Sequence, residues 1–338
     1  MKRLLICAAA IGAMGAAAQA GEAPLDGTAF VRSETRGPNP VTYYLAPAAA
    51  AHAPLLVVLQ GSGCGALFAP TKEGFQAAAG QDIVHQLGAG RFAVLVVEKP
   101  GVAPETSDEG SGGVSEACSA EFRAQHALDP WAKTVSRAID AARKDEAVDA
   151  RAPVRLLGLS EGSIVAARVS ALRADVSHVA FISGFGCDQW SDMLVVARRN
   201  AEADLESASL EEREEAVARA LEDMEAGFAA IAQDPANPDR YFDDQTHLFW
   251  STFGKACPAA DLAKTDANVF VALGTADEQV DANGVEAIPA ARIAAGKPIT
   301  MRRILGGGHI LSTPERPGFD NLVGVFSEAI DWMAPPSE

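Results

Sequence analysis

Positive charge is scarce in this chain. Lys and Arg number 28 against 45 Asp and Glu, a formal net charge of −17 over 338 residues. A surface of that sign repels nucleic acid and anionic lipid, which sets both aside as partners, and its plain consequence is solubility. Metal-type cysteine spacing is missing too. There are five cysteines and no C-x-x-C, so neither a zinc site nor thioredoxin-type chemistry has a footing. No internal repeat is visible. Beyond the first twenty residues no apolar run approaches the ~20 residues that a spanning helix needs.

The first twenty residues read as an address. Lys2 and Arg3 open the chain, Leu4 to Ala18 is apolar and small, and Ala18-Gln19-Ala20 fits a small-x-small cleavage pattern. These features predict a secretory signal peptide over residues 1–20, with a short membrane anchor as the alternative. Cys7 lies too early in the run to be a lipoprotein cysteine. Cleavage after Ala20 leaves 318 of the 338 residues and, without the two positive charges of the leader, a net charge near −19. That length suits one large domain or a domain with an insertion. Four cysteines then remain: Cys64, Cys118, Cys187 and Cys257. An even number in an exported protein suggests disulfides, with three possible pairings, and four buried thiols are the alternative.

Apolar runs of strand length recur along the chain. After two short strand-like runs at Thr28–Ser33 and Val41–Leu45 come Pro54–Leu59, Phe92–Val97, Val154–Leu157, Val179–Ile182, Val269–Leu273 and Thr300–Leu305. The central runs lack polar alternation, which suits strands buried on both faces of a parallel sheet. Helical patterns lie between several of them. One starts at Asp129-Pro130, read as an N-cap and a first-turn proline, another runs over Ile164–Ala171, and a third over Asn321–Trp332. This alternation predicts an α/β fold. Val102–Ala120 reads as a long loop. Residues 186–266 break the rhythm with their own helices: Ser209-Leu-Glu-Glu212 fits a capping box, and Val217, Leu221, Met224, Phe228 and Ile231 form an apolar stripe. The segment is expected to be a helical lid inserted between two core strands.

The chemistry centres on Leu156-Leu-Gly-Leu-Ser-Glu-Gly-Ser-Ile-Val-Ala166. Gly158-x-Ser160-x-Gly162 ends a strand and opens a helix, the context of a nucleophile elbow, where flanking side chains would collide and the serine hydroxyl is left exposed. A serine needs a base. In this arrangement the acid and the histidine follow the serine. Of the three later histidines, His178 stands before a strand and His247 within the lid, whereas His309 follows Gly306-Gly-Gly308 on the loop between the last strand and the last helix. His309 is therefore the candidate base. Asp277, four residues beyond the strand Val269–Leu273, is the candidate for holding the imidazole, with Glu278 and Asp281 as competitors. Two N–H donors should serve the oxyanion: that of Glu161, and that of Ser62 or its neighbour Gly63 in Gln60-Gly-Ser-Gly63.

Together, Gln60–Gly63, Gly158–Gly162, Gly274-Thr-Ala-Asp277 and Gly307-Gly-His309 resemble the α/β-hydrolase family over most of the mature length. Gln60 departs from the pattern, since relatives often carry His before that glycine. Within the family the chain looks most like exported dienelactone-hydrolase-type or S-E-G-type esterases and peptidases. The resemblance implies a mostly parallel eight-stranded sheet flanked by helices, with a lid after the sixth strand. The core is then residues 21–185 and 267–338, and the lid 186–266. In this fold Cys64 and Cys118 follow successive strands, and Cys187 and Cys257 bracket the lid, so the favoured pairs are Cys64–Cys118 and Cys187–Cys257. The expected activity is hydrolysis of a small-molecule acyl ester through an acyl-enzyme, without metal or organic cofactor. A peptidase or amidase, a non-catalytic binding protein, and a lyase or peroxidase-like activity are the alternatives. Trp190, Phe249 and Trp250 are expected either to line an apolar acyl pocket or to pack the lid on the core.

Overall fold

A computed structural model describes residues 23–88, 90–106, 115–203 and 208–334. The signal peptide expected at residues 1–20 lies outside the described residues, as does part of the loop expected at 102–120.

The first part of the chain forms strands β1 (Ala23–Pro24), β2 (Val31–Glu34), β3 (Thr42–Ala46) and β4 (Leu55–Leu59), hairpin β5 (Phe68–Thr71) and β6 (Gly74–Ala77), helix α1 (Gln81–Gly88) and strand β7 (Ala93–Val97). Helices α2 (Ala120–Gln125) and α3 (Leu128–Ala142), strand β8 (Val154–Leu159), helix α4 (Glu161–Leu172) and strand β9 (Val176–Ile182) follow. Then come α5 (Gln189–Ala203), α6 (Leu210–Gln233), the hairpin β10 (Tyr241–Phe242) and β11 (Gln245–Thr246), α7 (His247–Thr252) and α8 (Pro258–Lys264). Strand β12 (Asn268–Gly274), helices α9 (Ala282–Val285) and α10 (Ala287–Ala294), strand β13 (Thr300–Ile304) and helix α11 (Asp320–Met333) complete the chain.

Nine of these strands form the central sheet, in the order β1-β2-β3-β7-β4-β8-β9-β12-β13. From β7 to β13 all neighbours run parallel, while β1, β2 and β3 pair antiparallel at one edge. The expected eight strands are one too few among the described residues. The extra strand is β1, two exposed residues whose only strand character is pairing with β2, so no apolar run announces it. Counted from β2, β9 is the sixth sheet strand, and residues 186–266 lie between it and β12.

The apolar runs are buried on both faces for the reason their composition suggests. On β4, Leu55, Val57 and Leu59 join the core with Trp131, Val135 and Ile139 of α3 and Ile164 and Val165 of α4. The alternate residues Leu56 and Val58 face the opposite layer, with Val84 of α1 and Leu322, Phe326 and Ile330 of α11. Helix α3 starts at Leu128 with Ala127 at the cap position and no side-chain cap. The expected Asp129 cap is thus displaced into the first turn, because Leu128 is itself pulled into the core.

In the inserted segment Ser209 caps α6, with its side chain on the Glu212 N–H and the Glu212 carboxylate on the Ser209 N–H. Of the α6 stripe, Phe228 and Ile231 are buried. The last helix of the segment, α8, packs on α4 and α10. Cys64 is bonded to Cys118, and Cys187 to Cys257. The second bridge ties the start of the segment to its end. Among the described residues no helix is long and apolar enough to cross a membrane.

Candidate active site

Strand β8 delivers Ser160 to the carboxyl edge of the sheet, and α4 begins at the next residue. Ser160 sits at φ 53° and ψ −124°, a conformation that costs a non-glycine residue about 1–3 kcal/mol. Its N–H donates to Ile182 O of β9 at 2.8 Å. The flanking glycines allow the turn: a Cβ on Gly158 would strike the backbone of Gly162 and Ser163, and one on Gly162 the carbonyls of Leu59 and Gln60.

The loops after β12 and β13 bring the other two residues. Thr275 N–H donates to Ile304 O at 3.0 Å and Ala276 N–H to Gly307 O at 2.9 Å, so the two loops are knitted together. His309 Nε2 lies 2.9 Å from Ser160 Oγ, and His309 Nδ1 lies 2.9 Å from Asp277 Oδ2 and 3.2 Å from Oδ1. Asp277 Oδ1 also accepts the N–H groups of Gln279 at 2.8 Å and Val280 at 3.0 Å. Asp277 is 2 % exposed and His309 9 %, so the line of hydrogen bonds is shielded up to the serine.

The competing residues have other occupations. Glu278 accepts the His309 N–H at 3.2 Å, and Asp281 caps α9 by accepting from Asn283 and Gly284. His178 meets Ser177 Oγ and the edge of Trp332, and buried His247 contacts Asp234 O.

Ser160, His309, Ser62 and Glu161 border one cavity of about 420 Å³. Phe249, Trp250 and Phe253 line it from α7 and its end, and Met193, Val196 and Met224 from α5 and α6. Trp190 lies apart from this lining. Its ring stacks on Phe228 at 4.6 Å and its Nε1–H donates to Trp250 O at 3.3 Å, so it braces the wall from behind. Among the described residues no group of three or more His, Cys, Asp or Glu is arranged to hold a metal ion.

Set beside solved structures, the chain is similar to Est1E from Butyrivibrio proteoclasticus, with a TM-score of 0.50 at 14% identity over 89% of this chain and 97% of that one. It is also similar to the acylaminoacyl peptidase of Pyrococcus horikoshii (TM-score 0.54, 12% identity, 92% of this chain and 43% of that one). A third likeness is to Porphyromonas gingivalis dipeptidyl peptidase 4 (TM-score 0.53, 13% identity, 91% of this chain and 36% of that one). The chain has the α/β-hydrolase fold. No family model matches it, and no curated protein does.

This fold carries a buried polar cluster beneath the serine that the motifs did not announce. Lys99, two residues beyond β7, donates to Glu161 Oε1 at 2.9 Å, Gly61 O at 2.7 Å and Gly63 O at 2.9 Å. His126 Nε2 meets the same Glu161 oxygen at 2.9 Å. Lys99 is 2 % exposed and also sits 4.6 Å over the Trp131 ring. Burial alone would raise the Glu161 carboxyl; Lys99 and His126 outweigh it and hold it down to about 2. Burial pulls the Lys99 ammonium below the usual lysine range, against the opposing pull of Glu161. Glu98, one residue earlier, is pushed up to about 7 by burial, although the Leu67 N–H and Tyr44 hydroxyl donate to it. The available sequence signal was Glu98-Lys99 ending a wholly apolar strand, and it does not say what the pair touches.

Proposed function

We propose that the protein is an exported serine hydrolase that cleaves carboxylic esters through an acyl-enzyme on Ser160. The observation that carries this reading is the continuous line from Ser160 Oγ through His309 to Asp277, with contacts of 2.9 Å at each step, opening on a cavity of about 420 Å³. Ser160 Oγ attacks the acyl carbon while His309 Nε2 takes its proton. The acyl–oxygen bond then breaks, and the Nε2 proton passes to the leaving alcohol. Water attacks the acyl-enzyme, His309 takes the water's proton and returns one to Ser160 Oγ, and the carboxylic acid departs. Asp277 keeps Nδ1 protonated and the ring oriented. The N–H groups of Ser62 and Glu161 face the developing oxyanion, each worth roughly 10²–10³ in kcat for such donors.

The apolar wall of Phe249, Trp250, Phe253 and Met224 favours an apolar acyl group. The likeness to Est1E over 97% of that chain supports an ester, and a structure of Est1E holds ferulic acid. A peptidase or amidase with the same triad is the second reading, favoured by the likeness to acylaminoacyl peptidase, of which this chain spans 43%. The leader-like N-terminus and the two disulfides support export to an oxidising compartment.

The test is labelling of the mature protein with a fluorophosphonate, beside Ser160→Ala and His309→Ala, followed by matched ester and amide substrates. The parent should label at Ser160, both variants should stay silent, and esters should be cleaved faster. A folded parent that neither labels nor hydrolyses ends the reading, and preferential amide cleavage replaces it with the second.

A further inference from the structure

The cluster under the serine has a geometry that a mere buried ion pair does not need. Burying an ammonium costs several kcal/mol unless its hydrogen bonds are all met. Lys99 has three N–H donors, and each has an acceptor: Gly61 O, Gly63 O and Glu161 Oε1. Two of the three are carbonyls of the one loop expected to supply an oxyanion donor. The third belongs to Glu161, whose own backbone N–H is the other donor.

The peptide bond turns these contacts into an orientation. In a trans peptide the C=O of one residue and the N–H of the next point in opposite directions. A Gly61 carbonyl drawn to Lys99 therefore aims the Ser62 N–H away from Lys99. The loop lies against the nucleophile, since a Cβ on Gly61 would sit 3.4 Å from Ser160 Cβ, and Ser62 borders the cavity. The Gly63 carbonyl, held by the same ammonium, fixes the Gly63–Cys64 peptide one unit further along, so the loop is pinned on both sides of the Ser62–Gly63 peptide. On the other branch, Glu161 is the first residue of α4, where backbone N–H groups have no intrahelical acceptor. Its carboxylate is steadied by Lys99 and His126 together.

We propose that Lys99 is a positioning residue for the oxyanion site: its ammonium links the Gly61–Gly63 loop to the Glu161 side chain, and so sets the spacing and aim of the Ser62 and Glu161 N–H groups. The inference rests on the serine-hydrolase reading above. Lys99 works through the loop and not through its charge, because the Glu161 carboxylate already matches that charge.

The experiment compares the parent with Lys99→Met and Lys99→Arg on one ester, with active sites counted by fluorophosphonate titration and folding checked by circular dichroism. For folded Lys99→Met, kcat per titrated site should fall roughly 10²-fold with KM changed by less than about threefold, and a trifluoromethyl ketone, which forms a tetrahedral oxyanion, should lose affinity by a similar factor. Lys99→Arg keeps the charge but spreads its donors over a planar fork, so kcat should fall there too; it serves as the deciding variant where Lys99→Met does not fold. A folded variant with kcat per site within about threefold of the parent, whatever its loss of thermal stability, overturns the proposal and leaves the hydrolase reading standing. A parent that neither labels nor turns over removes both.

Discussion

His309 Nδ1 and Asp277 Oδ2 stand 2.9 Å apart although 32 residues separate them in the chain. The carboxylate is fixed from its other side, where Oδ1 accepts the N–H groups of Gln279 and Val280. Asp277→Asn can keep one oxygen for those two donors, but it turns an NH₂ toward the imidazole and favours the wrong tautomer. Ester kcat should fall about 10³–10⁴-fold with little change in the thermal midpoint. Steady-state kinetics and a melting curve on the same sample check both halves.

The elbow should resist even a methyl group. A Cβ on Gly162 would collide with the carbonyls of Leu59 and Gln60, which belong to the central strand β4 and the loop after it. Neither is the end of a flexible side chain. Gly162→Ala should cost at least about 2 kcal/mol in urea unfolding. A variant as stable as the parent would mean that α4 can draw away from β4 without loss.

Two buried carboxyl groups should pull stability in opposite directions with pH. Burial, with Asp281 beside it, raises Asp192 from 3.8 to about 7. The folded state therefore binds this proton more tightly than the unfolded chain. That stabilisation is complete below the unfolded value and is lost as pH rises through about 7. Asp192→Asn should flatten the fall in unfolding free energy between pH 5 and 8, and should exceed the parent in stability at pH 8. Glu161 has the reverse sign. Its carboxyl lies at about 2 in the fold against 4.5 when free, so its contribution is present above 4.5 and disappears as pH falls toward 2. Chemical denaturation at pH 3, 5 and 8 reads both effects.

The two disulfides should separate stability from turnover. Cys187–Cys257 closes a span of 70 residues, for which chain entropy gives about 4 kcal/mol. The double Ser variant should lose stability of that order while the triad remains assembled. Cys64–Cys118 spans 54 residues, and Cys64 follows Gly63, whose carbonyl is held by Lys99. Replacing that pair should lower kcat per titrated site as well as stability. Equal effects of the two pairs on kcat would show that the bridge beside the oxyanion loop has no special bearing on it.

The cavity wall should set acyl length. Met224 of α6 and Val196 of α5 line it together with Phe249 and Trp250 of α7. Met224→Trp should depress kcat/KM for long acyl chains by about tenfold or more and leave acetate esters within about threefold. A uniform loss across chain length would place the acyl group elsewhere.

Much of this protein was readable as pattern. Continuous apolar runs such as Leu55–Leu59 and Ala93–Val97 declare strands covered on both faces, because only burial on each side rewards them. The Gly-x-Ser-x-Gly turn declares itself because the glycines leave so little room for substitution, and the even cysteine count declares crosslinks. Features without a local pattern escaped. Strand β1 exists only through its partner, and nothing local decides between the pocket and packing roles open to Trp190, which stacks on Phe228.

Sequence alone determined the layered α/β architecture, the nucleophile elbow and the candidate acid and base, since each rests on short-range chemistry: periodicity, turn residues, and the order of motifs along the chain. Tertiary structure alone decided which acid meets His309, which aromatics face the cavity, and that Lys99, Glu161 and His126 gather beneath Ser160. Those contacts join residues 32 to 62 positions apart. Their partners are chosen by the order of strands in the sheet and by the cost of burying a charge without a mate.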